Sequence, residues 1–360
     1  MFVCYRYRDN PESLLLQRDQ EITPRLATAL RALHAEQPAY SAAVRLAKRW
    51  IASHMLLDYL EEEAVEMIVA SLFVDSTMYG LPSEEEPGAK STLHDAIDWV
   101  GPLTPQVAFF RFLQLVSTYD WTSQPLVINF NSHLTPEVIR DIETSVAAQR
   151  AQLKSPLVLV TPYDPSGVAF TRSTPPLPVW SRLMVLAQES LKLLERQLMK
   201  SDVKNVDVFQ AFRPPLDAYN CVIHLCRGAV ARRLYTLDDM SDKKVKVCEY
   251  QPKKTLSIFD YEPVDRLLDE LRLAYADKAR FFYDKYGGLL IGVMWIDKAW
   301  STPSEFKVSH VNGSMLVAPS VAGGEKRLAP NLEAICQDFL IMGKGLVESV
   351  ECGALVWQSV

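Results

Sequence analysis

The sequence has no run of about 20 consecutive apolar residues, the length that a transmembrane helix requires, so a membrane is not among its expected partners. It has only 6 cysteines in 360 residues, and these are scattered along the chain. Such spacing is typical of reduced thiols in a cytosolic or nuclear protein and not of a disulfide framework. Hydrophobic residues make up 48% and charged residues 23%. This composition is typical of globular domains with a sizeable core, and the length predicts two or three of them.

The sequence also has no overall excess of positive charge. It contains 38 Lys and Arg against 44 Asp and Glu, which gives a net charge of −6. This excludes a polycation of the histone type, so any contact with nucleic acid must come from local basic patches.

The motifs of several enzyme classes are missing. An active nucleotidyltransferase has a Gly-Ser turn followed by an Asp-x-Asp pair, whose carboxylates hold two metal ions against the triphosphate. Here Gly313 and Ser314 are followed by no such pair, and there is neither a P-loop nor a Gly-x-Ser-x-Gly motif. The segment 343–348, GKGLVE, lacks the third glycine of a dinucleotide-binding loop. We therefore expect no catalytic residue and no cofactor.

The segment 221–226, CVIHLC, is the best candidate for metal ligands. In a strand, His224 and Cys226 would share one face while Cys221 points to the other. Three ligands cannot converge from that geometry, and Cys248 would have to join from a loop. We therefore favour ordinary core residues over a zinc site, and no metal ligand is expected.

Hydrophobic periodicity predicts an α+β protein. In the first two thirds, the pattern predicts a short strand at 124–130 and, within 155–167, a strand that leads into a Pro-rich turn. These lie among predicted helices at 22–36, 38–59, 61–74, 105–121, 135–153 and 178–199. In the last third, a rigid Pro-Pro entry into a strand is predicted within 212–227, followed by strands at 289–296, 305–310 and 314–319 and helices at 263–287 and 331–352. This order predicts a sheet layered with helices.

Three cations in the segment VRLAKRW follow helical spacing, namely Arg45, Lys48 and Arg49. On a helical wheel they lie together, opposite a side that includes Ala43 and Trp50. Two interpretations stay open: a cationic strip lining a groove for an anionic partner, or a solvated helix face.

A second basic segment, 227–254, holds eight Lys and Arg against four Asp and Glu. It could contact phosphates, although a solvated loop is favoured from this feature alone. Trp295, Trp300 and Phe306 could stack on bases, but there is no RNP-type motif, and core packing is favoured for Trp295 and Phe306. The candidate RNA-binding residues are Arg45, Lys48, Arg49, Arg213, Lys243, Lys244, Lys246, Lys253 and Lys254.

The segment VRLAKRW resembles the helical substrate domain that follows the catalytic head of poly(A) polymerases. With its neighbours, the chain resembles the nucleolar RNA-associated protein (Nrap) family, also called the nucleolar protein 6 family. The resemblance runs in family order from about residue 22 to the end. It is carried by four blocks, PAYSAAVRLAKRWIASHMLLDYLEEEAVEMIVASLF, FFRFLQLVSTYDWTSQPLVINFN, FRPPLDAY and ARFFYDKYGGLLIGVMWID.

The resemblance implies the domain organisation. Residues 1–37 would be the remnant of a preceding nucleotidyltransferase-like domain, 38–205 a mainly helical PAP/OAS1-like domain, and 206–360 a smaller α+β domain. This would account for the strand-like segment MFVCYRYR, which has no partner strand nearby.

The resemblance also implies function. Family members are nucleolar components of the small-subunit processome that bind RNA without known polymerising activity and help to mature precursor ribosomal RNA. Implied protein partners are ribosomal RNA-processing protein 7 and casein kinase 2. We therefore expect a non-catalytic RNA-associated scaffold. Two alternatives stay open: the RNA-gripping part of an active nucleotidyltransferase, and a purely protein-binding platform using apolar helices 105–121 and 178–199.

Overall fold

The computed structural model describes residues 11–74, 104–172, 174–200, 207–228, 230, 262–296, 313–317, 327–353 and 355–358. The chain forms two compact units. The first comprises Met1–Ile51 and Tyr59–Arg213, and the second comprises Ala52–Asp58 and Pro214–Val360.

The first unit is mainly helical. Its helices are α1 (Pro11–Gln17), α2 (Thr23–Glu36), α3 (Ala39–Ser53), α4 (Glu62–Ala70), α5 (Pro105–Thr118), α6 (Pro136–Gln149) and α7 (Leu177–Leu198). A short π-helical turn, Arg18–Ile22, joins the first two. Two short parallel strands, β1 (Leu126–Val127) and β2 (Leu159–Val160), pair with each other. None of the described helices combines the length and apolar character needed to cross a membrane.

Helix starts in this unit follow the local sequence. Thr104 and Thr135 precede α5 and α6, and each side chain accepts a hydrogen bond from the backbone N–H three residues on. A proline follows each threonine at the first helical position, where its missing N–H costs nothing. The predicted starts of these helices are therefore confirmed.

Tryptophans fill the core of the first unit. Trp50 of α3 and Phe112 of α5 meet edge to face at a centroid distance of 6.2 Å. Trp121 and Trp180 also meet edge to face, at a centroid distance of 5.0 Å. All four are at most 1% exposed, and such pairs stabilise a core beyond the area that they bury.

The predicted helix 38–59 is too long. Helix α3 ends at Ser53, and Met55 has a φ of 61°, in the left-handed region that ends helices. Leu57 is buried from a separate 3-10 turn, Leu57–Tyr59.

In its described residues, the second unit contains a five-stranded antiparallel sheet and two helices. The strand order is β4-β5-β3-β8-β9. The strands are β3 (Cys221–Leu225), β4 (Ala279–Tyr283), β5 (Leu290–Trp295), β8 (Val347–Cys352) and β9 (Leu355–Gln358). A separate hairpin pairs β6 (Ser314–Val317) with β7 (Arg327–Pro330). The helices are α8 (Pro263–Ala274) and α9 (Leu332–Met342). The predicted α+β class is confirmed.

Two predicted helices of this unit run too far. The predicted helix 263–287 stops at Ala274, and 279–283 is strand β4. The predicted helix 331–352 stops at Met342, and 347–352 is strand β8. Gly343 caps the second of these helices. Only glycine fits there, because an added Cβ would lie 2.2 Å from Cγ2 of Val347. The predicted strand 305–310 lies outside the described residues.

Candidate nucleic-acid interface

Helix α3 presents the predicted cationic strip. Its buried side is formed by Ala43, Val44, Ala47, Trp50 and Ile51. The helix period of 3.6 residues places the three cations together on the other side.

The three cations differ in exposure. Arg45 is exposed, and its Nη1 donates a hydrogen bond to Oγ of Ser41 one turn earlier, at 2.9 Å. Arg49, one turn later, is half-buried. Arg45 is therefore the most exposed cation of this strip.

Lys48 is already engaged with two carboxylates of α4. Its Nζ donates to Oε1 of Glu66 at 2.6 Å and to Oε2 of Glu62 at 2.9 Å, and its side chain is 14% exposed. Burial alone would lower the pKa of Lys48, but the hydrogen bonds to Glu66 and Glu62 outweigh it, so the pKa is raised. The two carboxylates offset much of the charge that the strip could offer to a phosphate.

The other predicted cations are separate from this strip in sequence. Arg213 is exposed and directly follows a 3-10 helix, Val208–Phe212. Phe212 of that turn stacks on Phe109 of α5 at a centroid distance of 5.7 Å, which holds the turn against the helical core. The remaining candidates, Lys243, Lys244, Lys246, Lys253 and Lys254, lie outside the described residues.

Of the three aromatic residues considered for base stacking, one lies in the described part of the chain. Trp295, at the end of β5, is stacked on Phe339 of α9 at a centroid distance of 6.3 Å. It is partly buried against the core of the second unit, which confirms core packing as its role. Trp300 and Phe306 lie outside the described residues.

The predicted strand alternation is confirmed for Cys221–Leu225, and Cys226 lies just beyond the end of the strand. Cys221, Ile223 and Leu225 face the core from β3, while His224 lies on the opposite face, 3.3 Å from Glu351. The thiol of Cys221 meets two thiols that the sequence does not place beside it, Cys336 of α9 and Cys352 of β8. The remaining residue weighed as a zinc ligand, Cys248, lies outside the described part of the chain.

Comparison with known proteins gives the class of the chain. Residues 37–214 match the family model described as Nrap protein PAP/OAS1-like domain 5. Residues 216–350 match the one described as Nrap protein domain 6. The chain is thus of the class in which a helical PAP/OAS1-like domain is followed by an α+β domain.

Relatives extend the match over nearly the whole chain. It is 37% identical over 352 residues to Nucleolar protein 6 of Mus musculus and 36% identical over 352 residues to that of Homo sapiens. It is 36% identical over 356 residues to that of Xenopus tropicalis. These alignments cover 97%, 97% and 98% of this chain and 28%, 28% and 29% of the relatives, so the chain spans less than a third of their length. The chain belongs to the Nrap family.

Proposed function

We propose that this chain is a nucleolar part of the ribosome-biogenesis machinery and acts as a non-catalytic, RNA-associated scaffold. The observation that carries this proposal is the match of residues 37–214 and 216–350 to two successive Nrap domains. The relatives are named Nucleolar protein 6. The proposed setting is the small-subunit processome and the processing of precursor ribosomal RNA. Proposed protein partners are ribosomal RNA-processing protein 7 and casein kinase 2, as the family resemblance implies.

The RNA-binding part of the proposal is supported by the charge of α3. Arg45 is exposed, and Arg49 follows on the same side one turn later. A guanidinium can form two parallel hydrogen bonds to phosphate oxygens, and its charge releases counterions from the nucleic acid. Since these contacts read no base, the proposed binding is to RNA shape and backbone and not to sequence.

The absence of catalysis is supported by the sequence. An active nucleotidyltransferase needs paired carboxylates to hold two metal ions, and Gly313–Ser314 is followed by no Asp-x-Asp pair. If the chain were instead the RNA-gripping part of an active enzyme, the full-length protein would extend an RNA primer. A nucleotide-incorporation assay on that protein, with Mg²⁺ or Mn²⁺, tests this alternative, and incorporation above background would end the non-catalytic proposal.

The scaffold proposal is tested by binding to a structured RNA from the small-subunit precursor over a salt series. The variant R45Q/R49Q should bind several RNA sequences more weakly by a similar factor. In a plot of log K against the logarithm of the salt concentration, the slope for this variant should be flatter by about 1 for each phosphate contact removed. R140Q is the matched control, since Arg140 is an exposed cation on α6. An unchanged slope in R45Q/R49Q, or the same loss in R140Q, would remove the α3 strip from the interface.

A purely protein-binding platform is the second candidate, because apolar side chains near the end of α7 are exposed. Leu198 is 61% exposed and Met199 is 85% exposed. Exposed apolar groups of this kind mark protein contacts when they form a patch. The variant L198S/M199S, tested against purified ribosomal RNA-processing protein 7, should lose affinity if this surface docks that protein. Loss of protein binding by this variant, together with no salt-dependent RNA binding by the wild type, would favour the platform.

A further inference from the structure

Three elements of the second unit bring three thiols together. Cys221 is the first residue of β3, Cys352 is the last residue of β8, and Cys336 lies in the middle of α9. Their Sγ atoms all lie within 4.8 Å of one another. Cys221 and Cys352 are also Cα partners in the antiparallel ladder, so the sheet register itself places them side by side.

The positions of these thiols are fixed by the surrounding structure. The alternation of β3 turns Cys221 into the core with Ile223. Helix α9 buries Cys336 and, one turn later, Phe339. Strand β8 ends at Cys352 because the chain turns at Gly353, whose φ of 61° suits glycine. The cluster therefore forms as part of the fold and requires no loop to close over it.

The cluster is buried on one side and reachable on the other. Cys221 and Cys336 are at most 1% exposed, while Cys352 is half-buried. An ion could thus enter beside Cys352 and be held from behind by the other two thiols.

The separations suit a metal ion. A zinc–sulfur bond of about 2.3 Å sets ligand sulfurs about 3.8 Å apart around a tetrahedral ion and about 4.0 Å apart around a trigonal one. The Sγ atoms, within 4.8 Å of one another, would have to approach by at most about 1 Å, which side-chain rotation can supply. Thiolate ligands select soft cations such as Zn²⁺ and Cu⁺ over Mg²⁺ or Ca²⁺.

We propose that Cys221, Cys336 and Cys352 form a three-thiolate site for a thiophilic metal ion, Zn²⁺ or Cu⁺. With Zn²⁺ the fourth position of the tetrahedron would face the Cys352 side, open to water or another ligand. Cu⁺ can be held by the three sulfurs without a fourth ligand. A bound ion would clamp β3 and β8 to α9, so that the metal stabilises the second unit.

Zn²⁺ and Cu⁺ bind thiolates and not thiols, so binding must release protons from the three cysteines. Affinity should therefore fall as the pH is lowered.

The test uses the full chain, stripped with a chelator and kept in a reductant that does not bind metals. Zn²⁺ and, in a separate anaerobic titration, Cu⁺ are added, and bound metal is counted after gel filtration. One ion per chain is expected for at least one of the two. Co²⁺ should give the near-ultraviolet charge-transfer absorption of thiolate ligands. The variants C352S and C336S should bind more weakly by over about tenfold.

Cys226→Ser is the matched control, because Cys226 is half-buried and lies outside the cluster. It should keep the wild-type stoichiometry. The proposal is overturned if neither ion binds the wild type, or if C352S binds as tightly as the wild type. It is also overturned if C226S loses binding to the same extent as C352S. If the cysteine variants unfold, the thermal unfolding midpoint of the wild type, measured with and without each ion, tests the proposal instead. A bound ion should raise this midpoint, so the absence of an upward shift with both ions also overturns the proposal.

Discussion

Lys48 Nζ lies 2.6 Å from Oε1 of Glu66 and joins helix α3 to helix α4. Glu62 accepts a second hydrogen bond from the same ammonium at 2.9 Å. The residue at the centre of the predicted cationic strip thus has a structural contact of its own. We expect it to affect stability more than RNA binding, in contrast to its neighbour Arg45.

Replacing Lys48 with Met should lower the free energy of unfolding by about 1–2 kcal/mol. Hydrogen bonds to charged groups contribute about 1.5–3 kcal/mol, and the partial exposure of both carboxylates reduces that figure. Urea unfolding measures the change. R45Q should unfold like the wild type, since Arg45 is exposed. Equal stability of K48M and the wild type would show that the ion pairs contribute nothing net.

The contribution of Lys48 should depend on pH in the alkaline range. Its pKa is raised in the folded state, so the contribution is fully present below the unfolded value of about 10.4 and is lost as the pH rises through the folded value. The stability difference between wild type and K48M should therefore be constant between about pH 7 and 9 and shrink above about pH 10. A difference that grows at alkaline pH would contradict this assignment.

Gly292 should not tolerate a side chain. It lies in the buried part of β5, and an added Cβ would be 2.6 Å from Cδ1 and Cε1 of Tyr219. Overpacking of this kind costs about 1–3 kcal/mol, so G292A should show a lower urea midpoint. G228A is the matched control, because nothing lies within 4 Å of its added Cβ. An unchanged midpoint in G292A would mean that the Tyr219 ring can move aside at no cost.

Arg150 should act as a clamp for the turns of the first unit. Its Nε donates to the carbonyl of Thr122 at 2.6 Å, and its Nη2 donates to the carbonyls of Trp121 and Pro156. Removing the guanidinium would leave the part-buried carbonyls of Trp121 and Pro156 without these donors, which costs about 1–3 kcal/mol. R150M should therefore be destabilised by that amount in thermal or urea unfolding, while R140M, an exposed change on α6, should not be. R150K should recover little, since one ammonium lacks the planar fork of donors.

The sequence predicted helix starts better than helix ends. Pro105 and Pro136 mark the starts of their helices within a residue, because caps are local. The end of α9 was missed although Gly343 and Gly345 are in the sequence, since the apolar residues of 346–350 extend the helical pattern. Likewise, the aromatic run Phe281–Tyr283 has the residue types of a strand. Because it follows a strong helical pattern, it was wrongly included in the predicted helix 263–287.

The contacts that define the candidate sites could not be predicted in the same way. Cys221 and Cys336 are far apart in the sequence, and only the pairing of β3 with β8 and the packing of α9 bring their thiols together. The sequence did predict the exposed position of Arg45, because helical spacing is local. It did not predict that Glu62 and Glu66 would engage Lys48, since that depends on how α3 and α4 pack.

Tyr275→Phe should separate a hydrogen bond from the packing around it. The hydroxyl of Tyr275, just after α8, donates to Oδ2 of Asp338 on α9, and its ring meets Phe339 edge to face at a centroid distance of 5.2 Å. Burial, and then this hydrogen bond, raise the pKa of Tyr275. The Phe variant keeps the ring contact and loses the donor, so the free energy of unfolding should fall by about 1–2 kcal/mol.

A double-mutant cycle with Asp338→Ala tests whether the loss belongs to this pair. The two single changes should sum to more than the double change, because each removes the same interaction. Y286F is the matched control for a hydroxyl lost from a half-buried tyrosine, and it should leave stability near the wild-type value. Full additivity of Tyr275→Phe and Asp338→Ala would show that the hydroxyl and the carboxylate act independently, and the link between the two helices would then rest on the ring contact alone.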